Sequence, residues 1–192
     1  MIKIGILGAI GSGKSYVANN FGYPVFCADK EVSKLYRKDK KIFNKLKKKL
    51  PKFFNTFPVK KEEVLNSILA NEKNLKEIVK IIHKEIRKKM KSFLLKNKYK
   101  KIVILDIPLL LENKLNKSND ILIFINSKQS DIKDKLKKRK NFNKKLLYKF
   151  KKIQLPLDYK RKKSNYIINN NFTKKSVTRE IKKILKKILY IQ

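Results

Sequence analysis

Apolar positions along the chain fall into two alternating patterns. Ile2, Ile4, Ile6 and Leu7 form a short apolar run of the kind a buried parallel strand shows. PVFCA (24–28), KIVILDIP (101–108), DILIFIN (120–126) and YII (166–168) read the same way. Between these runs the spacing turns helical: SYVANNF after Lys14, then EVSKLY, KIFNKLKKKL, KEEVLNSILA and LKEIVKIIHKEIRKKMKSFLL, broken by PKFFNTFPVK with Pro51 and Pro58. Residues 128–154 predict two Lys-rich helices with a break near Asn141. Residues 173–190 predict a closing amphipathic helix with Val177, Ile181, Ile184, Leu185 and Ile188 on one face. Strands alternating with helices argue for a parallel, three-layer α/β sheet, in which ligands collect at the carboxyl ends of the strands. The first strand is expected to end at Gly8, the second at Asp29 and the third at Asp106, which gathers chemistry on one edge.

The first of these ends carries the most specific signal. Gly8 to Ser15 reads G-A-I-G-S-G-K-S, which fits G-x-x-x-x-G-K-[ST], after a strand and before a helix. Glycines let the backbone curl so that successive N–H groups point at one phosphate, and the helix start adds positive potential. The expected nucleotide contacts are Gly11, Ser12, Gly13, Lys14, Ser15 and Tyr16. Lys14 would reach the β- and γ-phosphates, and the Ser15 hydroxyl would ligate Mg²⁺.

Charge changes the picture less than its size suggests. The net charge is +37 over 192 residues, but only five of the 52 basic residues are arginine: Arg37, Arg87, Arg139, Arg161 and Arg179. The lysines are spread along the whole chain beside abundant Asn, Ile, Phe and Tyr, a composition that a low-GC genome produces whatever the function. No nucleic-acid partner is therefore expected. A dedicated binder clusters its charge. No apolar stretch reaches a membrane span, and nothing reads as a signal peptide, so a cytoplasmic protein without a membrane partner is expected. The lone cysteine, Cys27, reads as a small core residue on strand two.

Phosphoryl transfer also needs an oriented acceptor and a carboxylate near it. Asp29 is the first candidate for the base, and it equally suits the N-cap of a helix beginning at Lys30. Asp106 is the second, or holds the metal through water. Arg139, at the break between two helices, suits a group closing over the nucleotide. Lys160, Arg161, Lys162 and Lys163 read either as part of that closure or as a solvated face. His83 and Arg87 share one helix face, four residues apart, where His83 suits a half-buried histidine or a ligand contact.

Taken in order, these motifs resemble the dephospho-CoA kinase family over nearly the whole chain, from residue 2 to about 190. GILGAIGSGKS is similar to its phosphate loop. PVFCADKEVSKLY resembles its PV-I-D-A-D segment, whose second acid, the presumed base, falls on Asp29. IIHKEIRKKM resembles its L-H-P-x-I-R stretch at the acceptor site, on His83 and Arg87. VILDIPLLLENKL is similar to V-x-D-I-P-L-L-x-E, matching Asp106, Pro108, Leu109, Leu110 and Glu112. QLPLDYKRKKSNYIINNN resembles Q-x-P-x-x-x-K-x-x-x-A-D-x-V-I-x-N, matching Gln154, Pro156, Lys160 and Asn169 or Asn170.

The resemblance implies a three-layer P-loop NTPase fold of one kinase domain over 1–192, with a helical CoA-binding insertion at 30–100 and a lid at about 135–163. It implies transfer of a phosphoryl group from ATP-Mg²⁺ to the ribose 3′-hydroxyl of dephospho-CoA, the last step of coenzyme A synthesis. Lys14, Asp29 and Arg139 would then be catalytic, with Asp29, His83, Arg87, Asp106 and Pro108 at the acceptor. The expected assembly is a monomer or weak homo-oligomer. The chain departs from the pattern at Cys27, where the family has the first acid of D-A-D, at Lys84 for the proline, at Lys140 for the acid after the lid arginine, and at Ser164-Asn165 for A-D. The alternatives are another small-molecule P-loop kinase or a basic nucleic-acid-binding ATPase.

Overall fold

The computed structural model describes residues 1–139 and 142–190, so Lys140 and the break expected near Asn141 lie outside the described residues. The apolar runs become strands β1 (Ile2–Gly8), β2 (Val25–Cys27), β3 (Ile102–Asp106), β4 (Ile121–Asn126) and β5 (Tyr166–Asn169). They form one sheet in the order β2-β3-β1-β4-β5, every pair parallel. The Ile- and Val-rich strands suit a sheet covered on both faces.

The helices are α1 (Lys14–Asn19), α2 (Ala28–Lys38), α3 (Lys40–Lys49), α4 (Lys61–Ala70), α5 (Glu72–Lys96), α6 (Gln129–Lys137), α7 (Lys144–Lys152), α8 (Leu157–Lys162) and α9 (Lys174–Tyr190). Ile4, Ile6, Ile102, Ile104, Ile123, Ile125 and Ile168 on one face of the sheet bury against Val17, Ala18 and Phe21 of α1 and Val177, Ile181, Ile184 and Ile188 of α9. Alternation turns Gly5 to the other face, where a Cβ would stand 2.5 Å from Leu110 Cδ2 and 2.9 Å from Leu122 Cδ2, so any larger residue would have to push both leucine side chains aside.

Two boundaries differ from the sequence expectation. The second strand stops at Cys27, and α2 starts at Ala28, so Asp29 lies in the first helical turn rather than at the strand end or the N-cap. Ala28 favours helix, and a carboxylate in the first turn is stabilised by the unpaired N–H groups there. The basic run after QLPLD forms α8, whose Lys160 is buried.

The chain divides into two compact units. The sheet unit comprises 1–27, 97–142 and 153–192; the helical unit comprises 28–96 and 143–152. In the helical unit, Leu75, Ile78, Ile82 and Ile86 of α5 are buried, one per turn, with Ile42 and Leu46 of α3 and Leu35 of α2 also in its core. α7 belongs to this unit: Lys149 Nζ donates to the carbonyls of Ile68 (2.8 Å) and Leu69 (3.2 Å), at the C-terminal end of α4. A lysine there satisfies carbonyls that have no intrahelical partner. Among the described residues, no helix is long and apolar enough to cross a membrane.

Candidate active site

In the sheet unit, β1 delivers the chain into a loop that closes at Gly13 before α1. Gly13 has φ +85°, and a Cβ there would run into the Asn170 amide and approach Phe172 Cε1 to 3.2 Å. A Cβ at Gly11 would lie 2.9 Å from Leu136 Cγ, so α6 packs directly on the loop. Ser12 is fully buried, and its backbone N–H donates to the Ala9 carbonyl at 3.2 Å. The Ser12 carbonyl accepts from Asn170 Nδ2 at 2.8 Å and from Ser127 Oγ at 3.1 Å. Lys14 Nζ donates to the carbonyls of Ala9 (2.7 Å) and Gly8 (3.2 Å), so the ammonium is held close against the loop's own backbone. Ser15 and Tyr16 are exposed at the helix start.

Two neighbouring strand ends add to the same edge of the sheet. Asp106 closes β3, is 3% exposed and stands in register with Cys27 of β2. The chain then runs through Pro108 to Glu112, whose Oε1 accepts from Lys160 Nζ at 2.6 Å and from the Leu155 N–H at 3.0 Å. Lys160 is therefore a buried counter-ion to Glu112, not part of a mobile basic cluster; Arg161, Lys162 and Lys163 are the exposed members of that run. Arg139 follows α6, exposed, with its N–H donating to the carbonyl of Leu136, the residue that packs on Gly11.

The helical unit carries the other sequence-derived candidates. Asp29 is exposed in the first turn of α2. His83 and Arg87 lie one turn apart on α5, with His83 half-buried and Arg87 exposed. Burial, and secondarily the Arg87 charge, hold the His83 imidazole below its usual range. So the structure brings the loop, Asp106, Pro108 and Arg139 into one unit and places Asp29, His83 and Arg87 in the other.

Among the described residues, no group of three or more His, Cys, Asp and Glu side chains could cage a metal. Mg²⁺ in phosphoryl-transfer sites needs no such cage, because phosphates and water supply most of its oxygens. The Ser15 hydroxyl and the Asp106 carboxylate are hard oxygen donors of the fitting type.

The sequence offers Asn170 only as one of two matches to the family's asparagine, without a role, and passes over Ser127. Each sits one residue beyond the last residue of a strand, after β5 and β4 respectively. That position at the carboxyl edge is the signal that finds them. The departure at Asn165 costs little: its Oδ1 accepts from the Leu122 N–H at 2.8 Å and its own N–H donates to the Leu122 carbonyl at 2.8 Å, a contact that needs an acceptor oxygen rather than a charge.

Known proteins match this chain over nearly its full length. A dephospho-CoA kinase of Wolbachia pipientis wMel is 32% identical over 187 residues, covering 95% of each chain. Among solved structures, a Thermus thermophilus protein superimposes with a TM-score of 0.78 at 24% identity, over 97% of both chains. A dephospho-CoA kinase from Campylobacter jejuni superimposes with a TM-score of 0.62 at 23% identity, over 97% of this chain and 96% of that one. These two share the fold. The family model for dephospho-CoA kinase matches residues 2–176. With a phosphate loop, a buried acid at the end of β3 and a sequence match of this extent, the chain belongs to the dephospho-CoA kinase family.

Proposed function

We propose that this chain transfers the γ-phosphoryl group of ATP to the ribose 3′-hydroxyl of dephospho-CoA, giving coenzyme A and ADP. The observation that carries the reading is the closed loop of Gly8–Ser15, with Lys14 held against it, in a chain matched to the dephospho-CoA kinase family along 2–176. The loop at Gly11, Ser12 and Gly13 and the Lys14 ammonium take the phosphates, with Ser15 and Tyr16 at the helix start. The Ser15 hydroxyl and the Asp106 carboxylate would hold Mg²⁺, which would neutralise charge building on the phosphate oxygens.

Asp29 accepts the proton of the attacking hydroxyl. The γ-phosphorus–oxygen bond to ADP breaks as the bond to the 3′-oxygen forms, and the proton leaves on the carboxylate. His83 and Arg87 hold the acceptor, Pro108 shapes its site, and Arg139 offsets charge on the moving phosphoryl group. The helical unit is then the CoA-binding part, and the segment about Arg139 the lid. The chain works in the cytoplasm as a monomer or weak homo-oligomer, without nucleic acid.

The deciding assay measures ADP release from ATP-Mg²⁺ at physiological salt, with dephospho-CoA, adenosine, AMP or no acceptor. ADP appearing only with dephospho-CoA, with coenzyme A as product, is the expected result. ADP with another acceptor would keep the loop chemistry and overturn the substrate.

A further inference from the structure

We infer that Asn170 and Ser127 are positioning residues that aim the Gly13 N–H at a bound polyphosphate, an inference that rests on the reading of Gly8–Ser15 as the ATP loop. Asn170 is buried, with 2% of the residue exposed. Its Oδ1 accepts from the Phe172 N–H at 2.8 Å, which fixes the amide orientation and leaves Nδ2 as the atom facing the loop. That Nδ2 donates to the Ser12 carbonyl at 2.8 Å, and Ser127 Oγ donates to the same carbonyl at 3.1 Å.

Both donors hang from one rung of the sheet. Asn126 pairs with Asn169 across β4 and β5, and the Asn170 N–H donates to the Asn126 carbonyl at 2.8 Å. The two residues therefore inherit the rigidity of paired strands. Two donors from a fixed frame hold the Ser12 carbonyl on the sheet side. In a planar trans peptide the carbonyl and the next N–H point in opposite directions. The Gly13 N–H is thereby turned away from the sheet, on the side where a phosphate is cradled by the loop.

Phe172 locks this arrangement. It is a bulky residue with φ +63°, a strained backbone conformation held by its surroundings. Its N–H is spent on Asn170 Oδ1, its ring lies against Gly13, and the Lys135 ammonium of α6 sits 5.4 Å from the ring centroid. Of the two donors, Asn170 is the stronger support, because its amide is oriented by a second bond.

The test compares wild type with Asn170→Ala, Asn170→Asp and Ser127→Ala. It reads the KM for ATP, the KM for dephospho-CoA, and calorimetric binding of inorganic tripolyphosphate, which needs no acceptor. Asn170→Ala should raise the ATP KM and weaken tripolyphosphate about tenfold, and Ser127→Ala about threefold, at an unchanged dephospho-CoA KM. Asn170→Asp should lose more than Asn170→Ala, because a carboxylate then faces a carbonyl. If the Asn170 variants fail to fold, Ser127→Ala decides alone. Unchanged ATP and tripolyphosphate values, or an equal rise in both substrate KM values, would overturn the brace. A wild type that binds tripolyphosphate but never phosphorylates dephospho-CoA would overturn the assigned reaction instead, with the brace still judged by tripolyphosphate.

Discussion

Lys160 Nζ and Glu112 Oε1 are 2.6 Å apart, with the two side chains 1% and 9% exposed. The pair ties the segment after β3 to α8, two stretches 48 positions apart in sequence that the sheet unit must hold in fixed relation. Breaking one side of a buried ion pair leaves an uncompensated charge. Lys160→Met should therefore destabilise the protein by about 3–5 kcal/mol. Adding Glu112→Gln should recover most of that loss in urea denaturation. A double variant as unstable as the single one would mean that the ion pair is not the source of the cost.

The roles proposed for Lys14 and Asp29 separate in kinetics. Lys14→Ala removes the ammonium expected at the phosphates and should lower turnover by about a thousandfold. Asp29→Asn should cut turnover by at least about a hundredfold while leaving ATP affinity within about twofold of wild type. Single-turnover assays with calorimetric ATP binding read both quantities. Full turnover in Asp29→Asn would remove Asp29 from the base role.

Cys27 stands beside Asp106 across β2 and β3, in the place of the family's first acid. Cys27→Asp would set two carboxylates side by side, which repel without a cation and favour Mg²⁺. Activity should rise most at low Mg²⁺, and melting temperature should fall without it. A flat response to Mg²⁺ would show that this position tunes neither metal nor rate.

His83 gives the protein an acid-side weakness. Its folded-state pKa is depressed by burial and then by Arg87, so the unfolded chain takes up a proton that the folded one resists. Stability from this group is therefore full above the unfolded value of about 6.5 and is lost as pH falls below it. Urea midpoints of wild type should drop between about pH 6.5 and 5 more steeply than those of His83→Gln. Parallel curves would show that His83 does not titrate with folding.

Much of this was legible in the sequence, and the exceptions have physical causes. The Ile-rich runs named the strands, and KEEVLNSILA coincides with α4, because both periods are strong where apolar residues are clean. α2 began early because Ala28 and Asp29 suit a first helical turn as well as a strand end. LDYKRK hid α8: six residues give too little periodicity, and a buried Lys160 reads in sequence like any solvent-facing lysine. The company kept by α7 was invisible, since Lys149 caps carbonyls about eighty positions away. Ser127 was missed, and Asn170 was named only as one of two motif matches without a task, because both side chains donate to the Ser12 carbonyl and no spacing rule reports a carbonyl's partner.

The helical unit is assembled from two stretches of chain, and α7 is the smaller. Moving this unit between kinases of this build, by recombination or by engineering, thus takes more than one contiguous cassette. A graft of 28–96 alone would carry α4 with the carbonyls of Ile68 and Leu69 stripped of their lysine, and would bring a foreign α7 against them. The two stretches are bound to be inherited together, so substitutions along Lys144–Lys152 should track those at the end of α4 more closely than those in the helices adjoining them in sequence.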